Sequence, residues 1–354
     1  MMSTPRPSVS RLAWITVAVL CLCWCSPLAH ATDIDDVEIS PSAQAASKRG
    51  LAFLAKTQRQ DGTWPTGYGA TTGIVATCSL AFMGAGHTPD NGEYGINVAR
   101  SLQFIVHNAQ PNGLLYKVGM EGEPMYHHGL ATLALAEAWG MSQDKVLRDV
   151  VKRAADLIVS TQNGEGAWGY KPMVMGGDLS ITVMQLMALR ACKDAGVYVP
   201  KESIDAGIQY VKHCHNSVDR GKDGGFAYSP GGESGMARTG AGVLSLQVAG
   251  NYRAGEVKQG VAYIMQFKPV GTREVEANFY YYAHYYAAMG LYQAQSVGEW
   301  GKKAWKAWYP AITKSLTETE EPAGSWPQSF GNYSTAMALM ILQIPYRYLP
   351  IYQR

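Results

Sequence analysis

Two kinds of helical pattern alternate along this chain. In the first, apolar residues recur at helical spacing among charges, as Leu51, Phe53 and Leu54 do within RGLAFLAKTQ. That pattern predicts helices with one face in water. The second kind is small and apolar almost throughout: TTGIVATCSLAFMGAG, MYHHGLATLALAEAWG, DLSITVMQLMALRACKDAG, RTGAGVLSLQVAG, FYYYAHYYAAMGLYQ and STAMALMILQIP. Most of these lack a charged face, which marks helices buried nearly all round.

The alternation is periodic. SLQFIVHNA, GIQYVKHCH and GVAYIMQFK align with GLAFLAKTQ, so that Phe53, Phe104, Leu157, Tyr210, Tyr263 and Ser315 form one column with steps of 51, 53, 53, 53 and 52 residues. A period held so closely over six units identifies a repeat protein. A polar turn follows the first helix in its fullest copies: Gln58, Gly62 and Trp64, then Gln162, Gly166 and Trp168. A worn copy, Glu320, Gly324 and Trp326, comes last. Glycine permits the reversal, the amide reaches groups left open at a helix end, and the Trp supplies an apolar cover, so the turn reads as structural.

Six pairs of one buried and one exposed helix stack either as an open solenoid or as a ring. A solenoid would expose its inner helices along a concave face, and these apolar sequences argue against that. The pattern therefore predicts an all-α fold, an α/α toroid of six ~52-residue repeats spanning residues 45–354. Its closing stretch, ILQIPYRYLPIYQR, is expected to pack across the barrel.

Residues 1–31 read as a cleaved export signal. Arg6 and Arg11 precede an apolar run, Leu12 to Cys25, and Ala29-His30-Ala31 offers a cleavage site. The mature chain would then be periplasmic or extracellular, with no transmembrane segment and a mobile polar lead-in over residues 32–44. Beyond residue 31, 28 basic side chains face 28 acidic ones, which gives no electrostatic case for nucleic acid. Three cysteines remain, Cys78, Cys192 and Cys214, too few and too scattered for a disulfide framework.

At Arg49-Gly50, Phe53-Leu54, Gln58, Gly62 and Trp64 the chain resembles the terpenoid cyclase and protein prenyltransferase superfamily, whose members carry this Gln-Trp motif. Asp223-Gly224-Gly225-Phe226 with Pro230-Gly231 is similar to the GGF…PG turn of prenyltransferase β-subunits. The run from about residue 45 onward is similar to secreted bacterial prenyltransferase and squalene oxidase repeat proteins. The resemblance implies the toroid and an isoprenoid-related ligand. It does not carry the reactions over. The Asp-x-Asp-Asp-Thr acid motif of squalene cyclases falls on Asp178-Leu179-Ser180-Ile181-Thr182, with Ser180 at the proton-donor position. The prenyltransferase zinc ligands fall on Gly235, Ala237 and Ala283. No cofactor is implied.

Aligned by their common ending, the second helices place Val75, His128, Thr182, Thr239, His284 and Thr335 at one level, near the helix N-termini. Asp178 lies one turn away on the face of Thr182. Asp178, His128 and His284 are the catalytic candidates at this polar mouth. The alternative is that these polar groups satisfy one another in the core. Seven residues later the column is Phe82, Leu135, Leu189, Leu246, Leu291 and Leu342, which predicts a sealed far end. Ligands from separate repeats have no metal-site spacing, and His213-Cys214-His215 ends an outer helix with alternate side chains pointing apart, so no metal is expected.

Tyrosine outnumbers phenylalanine 21 to 7. Phe279, Tyr280, Tyr281, Tyr282, Tyr285 and Tyr286 flank His284, and about half of them are expected on the cavity wall. Tyr281, Tyr282 and Tyr285, with Thr182, Thr239 and Arg238, are the ligand-binding candidates. Arg238 either meets an anionic group, caps a carbonyl, or pairs with Asp178 or Glu233. The leading functional expectation is an apolar small molecule or lipid held in a central aromatic cavity. A non-catalytic interaction toroid and a carbohydrate-active six-fold barrel are the alternatives.

Overall fold

The computed structural model describes Met1 and residues 39–65, 71–119, 122–267, 269, 279–326 and 332–353. Residues 34–354 form a compact unit of their own. Its described residues contain twelve α-helices in alternating roles. The partly exposed set is α1 (Pro41–Thr57), α3 (Gly95–His107), α5 (Lys145–Ser160), α7 (Lys201–His213), α9 (Gly255–Ile264) and α11 (Glu299–Thr319). The buried set is α2 (Thr72–Met83), α4 (Pro124–Ser142), α6 (Leu179–Asp194), α8 (Met236–Val248), α10 (Tyr280–Ala294) and α12 (Asn332–Gln343).

The buried helices touch in sequence order, α2 to α4, α6, α8, α10 and α12, and α12 touches α2 again. The ring is closed, as the periodicity predicts. Each outer helix packs against inner helices, which explains the two patterns. On α5, Leu147, Val150, Val151, Ala154, Ala155 and Ile158 are buried along one stripe. On α2, all twelve residues are buried. α1 begins earlier than the pattern suggested, because Ser40 accepts a hydrogen bond from the Ala43 N–H and Pro41 takes the first helical position. Residues 41–44 of the expected lead-in are therefore helical; residues 2–38 lie outside the described part.

The polar turn laces each repeat to the next. Gln58 donates to the carbonyl of Gly62 within its turn, at 3.2 Å, and to Asn97 on α3, at 2.9 Å. Gln162 does the same with Gly166 and with Ser203 on α7, both at 2.9 Å. The indole N–H groups of Trp64, Trp168 and Trp326 donate back to the carbonyls of Leu54, Ile158 and Leu316 on their own outer helices, at 2.7–2.8 Å. The turn glycines adopt φ of +84° to +93° at Gly62, Gly113, Gly166 and Gly324. A β-carbon at any of these would collide with a carbonyl of the following outer helix: Arg100, Arg153, Ala206 and Arg49 respectively.

The last of those contacts closes the circle, since Arg49 belongs to α1. Glu320, which stands where the full copies have Gln, forms a two-pronged ion pair with Arg49 at 2.8 and 2.6 Å. The departure from the motif is thus the joint between last and first repeats. A carboxylate matches the guanidinium fork in a way an amide does not.

The far end is closed by the chain terminus. Short 3₁₀ turns at Ile344–Tyr346 and Pro350–Tyr352 bury Ile344, Leu349, Ile351 and Tyr352 against α4, α6, α10 and α12. The seal is not purely apolar, which the leucine column did not foretell. Glu137 of α4 is buried there and accepts the Ile351 N–H at 3.1 Å. Burial raises its carboxyl to about 8, with the Asp194 charge adding and the Ile351 N–H opposing.

Two outcomes follow from this packing. Trp168→Ala should cost on the order of 3–5 kcal/mol, and Gly166→Ala should also destabilise strongly; an unchanged urea midpoint in either would remove the turn from its structural role. Glu137 holds its proton better folded than unfolded, so its contribution is complete below about pH 4.5 and lost as pH rises toward 8. The stability difference between the parent and Glu137→Gln should therefore shift against the parent over that window by up to a few kcal/mol. Parallel pH–stability curves would contradict it.

Candidate functional site

Most polar atoms of the column turn toward the lacing turns. The backbone N–H of Trp168 donates to Thr182 Oγ1 at 3.2 Å, that of Phe226 to Thr239 Oγ1 at 2.9 Å, and that of Trp326 to Thr335 Oγ1 at 3.0 Å. His128 does the same work with a ring: Leu115 N–H donates to Nδ1 at 3.1 Å. Nε2 must then carry the proton, and it donates to the Ala154 carbonyl at 3.2 Å. Burial holds His128 neutral, lowering its pKa to about 4. In four of the six repeats an acceptor on the inner helix thus meets the N–H of the residue at the Trp position.

His284 occupies the fifth place in this column. It is fully buried, its ring lies 5.5 Å from Trp308 and 4.3 Å from Tyr280, and neither nitrogen has a hydrogen-bond partner. Burial pushes its pKa down to about 3. It faces α11, which carries Trp308, and not the barrel axis. Residues 270–278, which lead into α10, lie outside the described part.

Asp178 is different. It caps α6, with Oδ1 accepting the Ile181 N–H at 3.0 Å, while Oδ2 is buried with no hydrogen-bond partner. Burial raises its pKa to about 6; the N–H groups of Ile181 and Ser180 work against that, and the Glu123 charge adds to it. Its surroundings include Tyr126 of α4 and Tyr282 of α10, both of which feel its charge.

Tyr282, Tyr285 and Tyr286 share one face of α10 by their spacing of three and four. Their rings follow one another, Tyr282 to Tyr286 at 4.6 Å and Tyr286 to Tyr285 at 5.2 Å. Because neither α4 nor α6 adjoins α10 in the ring, contacts to those helices reach through the barrel interior. The Tyr286 hydroxyl points to Met184 Sδ on α6, 3.5 Å away. Tyr285 interacts with Tyr352 of the tail and with Glu137 of α4. Tyrosines thus run from Asp178 at the mouth to Glu137 at the sealed end, and burial raises the pKa of each of the three on α10. The hydroxyls of Tyr282 and Tyr285 are buried without hydrogen-bond partners.

The remaining candidates scatter. Tyr281 packs edge-on against Tyr280, 5.2 Å away, and feels the charge of Glu321 beyond α11. Arg238 turns back to donate to the Ser234 carbonyl at 3.2 Å, the carbonyl-capping outcome of the three weighed. His215 lies 4.8 Å from Phe226, and Cys214 is a buried free thiol. Among the described residues no group of three His, Cys, Asp or Glu side chains is placed to hold a metal. The sequence reading missed Tyr126 and Tyr333, and named Tyr286 only among the aromatics flanking His284. All three belong to the axial group, and only their helix-face position relative to Tyr282 could have disclosed them.

No family model and no curated relative matches the sequence. Solved structures do match in shape. The type II terpene cyclase MstE from Scytonema superposes with a TM-score of 0.59 at 14% identity, covering 87% of this chain and 99% of that one. The GH76A α-1,6-mannanase from Salegentibacter sp. HEL1_6 gives 0.65 at 8% identity, covering 86% and 99%. A protein from Actinoplanes gives 0.57 at 14% identity, covering 86% and 99%.

The fold is an α/α toroid, shared by the cyclase and the mannanase alike.

The toroid's column residues offer a sharp check. Val75 shows that valine fits the column, so Thr182→Val removes only an acceptor. It should cost about 1–3 kcal/mol by stranding the Trp168 N–H. If chemical denaturation shows no loss, the hydroxyl is not serving the turn.

Proposed function

We propose that this toroid binds an apolar small molecule or lipid, isoprenoid in character, entering at the mouth where the inner helices begin. One observation carries the reading: a buried carboxyl oxygen, Asp178 Oδ2, without a hydrogen-bond partner, within a group of tyrosine rings that includes Tyr282, whose hydroxyl feels both the Asp178 charge and the Ser180 hydroxyl. Buried polar atoms left unpaired are costly, and a ligand hydroxyl or carbonyl relieves that cost. The rings of Tyr126, Tyr282 and Tyr286 suit a hydrocarbon or a conjugated chain. The likeness to MstE supports this, since that cyclase has been seen with geranylgeranyl dihydroxybenzoate as substrate. Turnover is left unassigned: Ser180 stands at the proton-donor position of the cyclase motif, and Asp178 titrates near 6, far from a strong acid.

A second reading, a carbohydrate-active barrel, draws on a second carboxylate at the mouth, Glu123, whose charge Asp178 feels. Paired carboxylates are what glycoside hydrolysis needs. No helix among the described residues is long and apolar enough to cross a membrane. We read residues 1–31 as an export signal, and N-terminal sequencing of the processed protein should begin near Thr32.

The deciding experiment is organic extraction of the natively purified protein followed by mass spectrometry. The parent should carry a prenyl-type or other long-chain lipid, and Tyr282→Ala or Asp178→Leu should lose it by tenfold or more while melting within a few degrees of the parent. Empty extracts from the parent, together with hydrolysis of an oligosaccharide that Asp178→Asn abolishes, would replace this reading by the second.

A further inference from the structure

Two neighbouring loops at the mouth hold apolar side chains out in water. In the α3–α4 connection, Val118 is 79% exposed. In the α5–α6 connection, Met173, Val174 and Met175 are 47%, 59% and 69% exposed, a run of three apolar residues with nothing covering them. This second loop is pinned. The Met173 N–H donates to the Lys171 carbonyl and the Met175 N–H to the Met173 carbonyl, at 2.8 and 2.7 Å, two consecutive tight turns. Asn163 Nδ2 holds the Gly176 carbonyl at 2.6 Å at the loop's far root. The apolar residues are thus presented by structure.

Both loops have the same order from root to tip: Tyr116, Lys117, Val118 in one, and Tyr170, Lys171, then Met173 to Met175 in the other. The tyrosines lie against the first turn of α4, Tyr116 at 5.4 Å from His127 and Tyr170 at 5.8 Å from Tyr126. The two tips therefore flank one helix start, on one arc of the mouth. Neither lysine has an acidic partner among the described residues.

We propose that this arc of the mouth docks on a lipid bilayer surface. The layering fits a bilayer interface: tips in the acyl boundary and lysines behind them reaching lipid phosphates, on loops rooted by the buried Tyr116 and half-buried Tyr170. It fits a protein partner less well, because lysine is depleted and aromatic anchors enriched at the centre of such interfaces. The docked arc includes the α4 start, where Tyr126 stands in the axial tyrosine group, so a lipid leaving the bilayer would meet the mouth without crossing water.

Flotation of residues 34–354, the compact unit, with vesicles of phosphatidylcholine, alone or with phosphatidylglycerol, tests this without any ligand. The parent should float, more completely with the anionic lipid. Val174→Asp with Met175→Asp should cut partition about tenfold or more, and Lys171→Glu should remove mainly the anionic preference. Tyr198→Asp, 82% exposed on the α6–α7 connection at the opposite end, should change nothing. Circular dichroism melts should show all variants folded. A parent that stays with the free protein in both gradients overturns the proposal, as does a tip variant that floats like the parent. Empty lipid extracts would sink the ligand reading alone and leave vesicle docking standing.

Discussion

The structure depends on one backbone contact made again and again: a turn glycine pressed against a carbonyl of the following outer helix. At Gly62, Gly113, Gly166 and Gly324 there is no room for a β-carbon, and the positive φ suits only glycine. That approach lets Gln58 and Gln162 reach across to Asn97 and Ser203, and it sets each indole under its own helix end. Inner helices packed on all sides contribute most of the buried apolar surface, but apolar packing is non-directional. The turn is what fixes the angle from one repeat to the next at these four joints, and the inner helices close into a ring.

The same turns decide what the mouth is made of. In four of the repeats the N–H at the Trp position meets an acceptor, and an inner-helix Thr or His supplies it. A column of polar residues at a barrel mouth looks like a binding site when read from spacing alone. Here it is chiefly the fold's own hydrogen bonding. The groups left without such work, Asp178 Oδ2 and the hydroxyls of Tyr282 and Tyr285, are the better guide to a ligand.

The ring, the roles of the two helix sets and the docked tail were legible in the sequence because each rests on periodicity and on burial along a whole helix. Side-chain direction was not. His128 and His284 occupy equivalent places, yet one serves a turn on both nitrogens and the other faces Trp308 with neither bonded. Glu137 escaped notice because a single acid within LATLALAEAWG reads as a helix-end residue, and only the returning tail buries it. Glu320 looked like a worn copy until its partner, 271 residues away, was in view.

That partnership bears on how the protein comes into being. In an open stack of repeats, each unit added is stabilised by the one before, and either end frays alone. In this ring the first repeat lacks one neighbour until the last has been made, because α1 rests on α11 and α12. An emerging chain must carry five repeats with an unfilled edge, and the closing contact then converts a string of local stabilities into one cooperative unit. Once closed, the circle has no structurally privileged beginning. Its seam at Arg49 and Glu320 shares the glycine contact of the joints at Gly62, Gly113 and Gly166, and in a circularly permuted chain the opening could be moved to one of those.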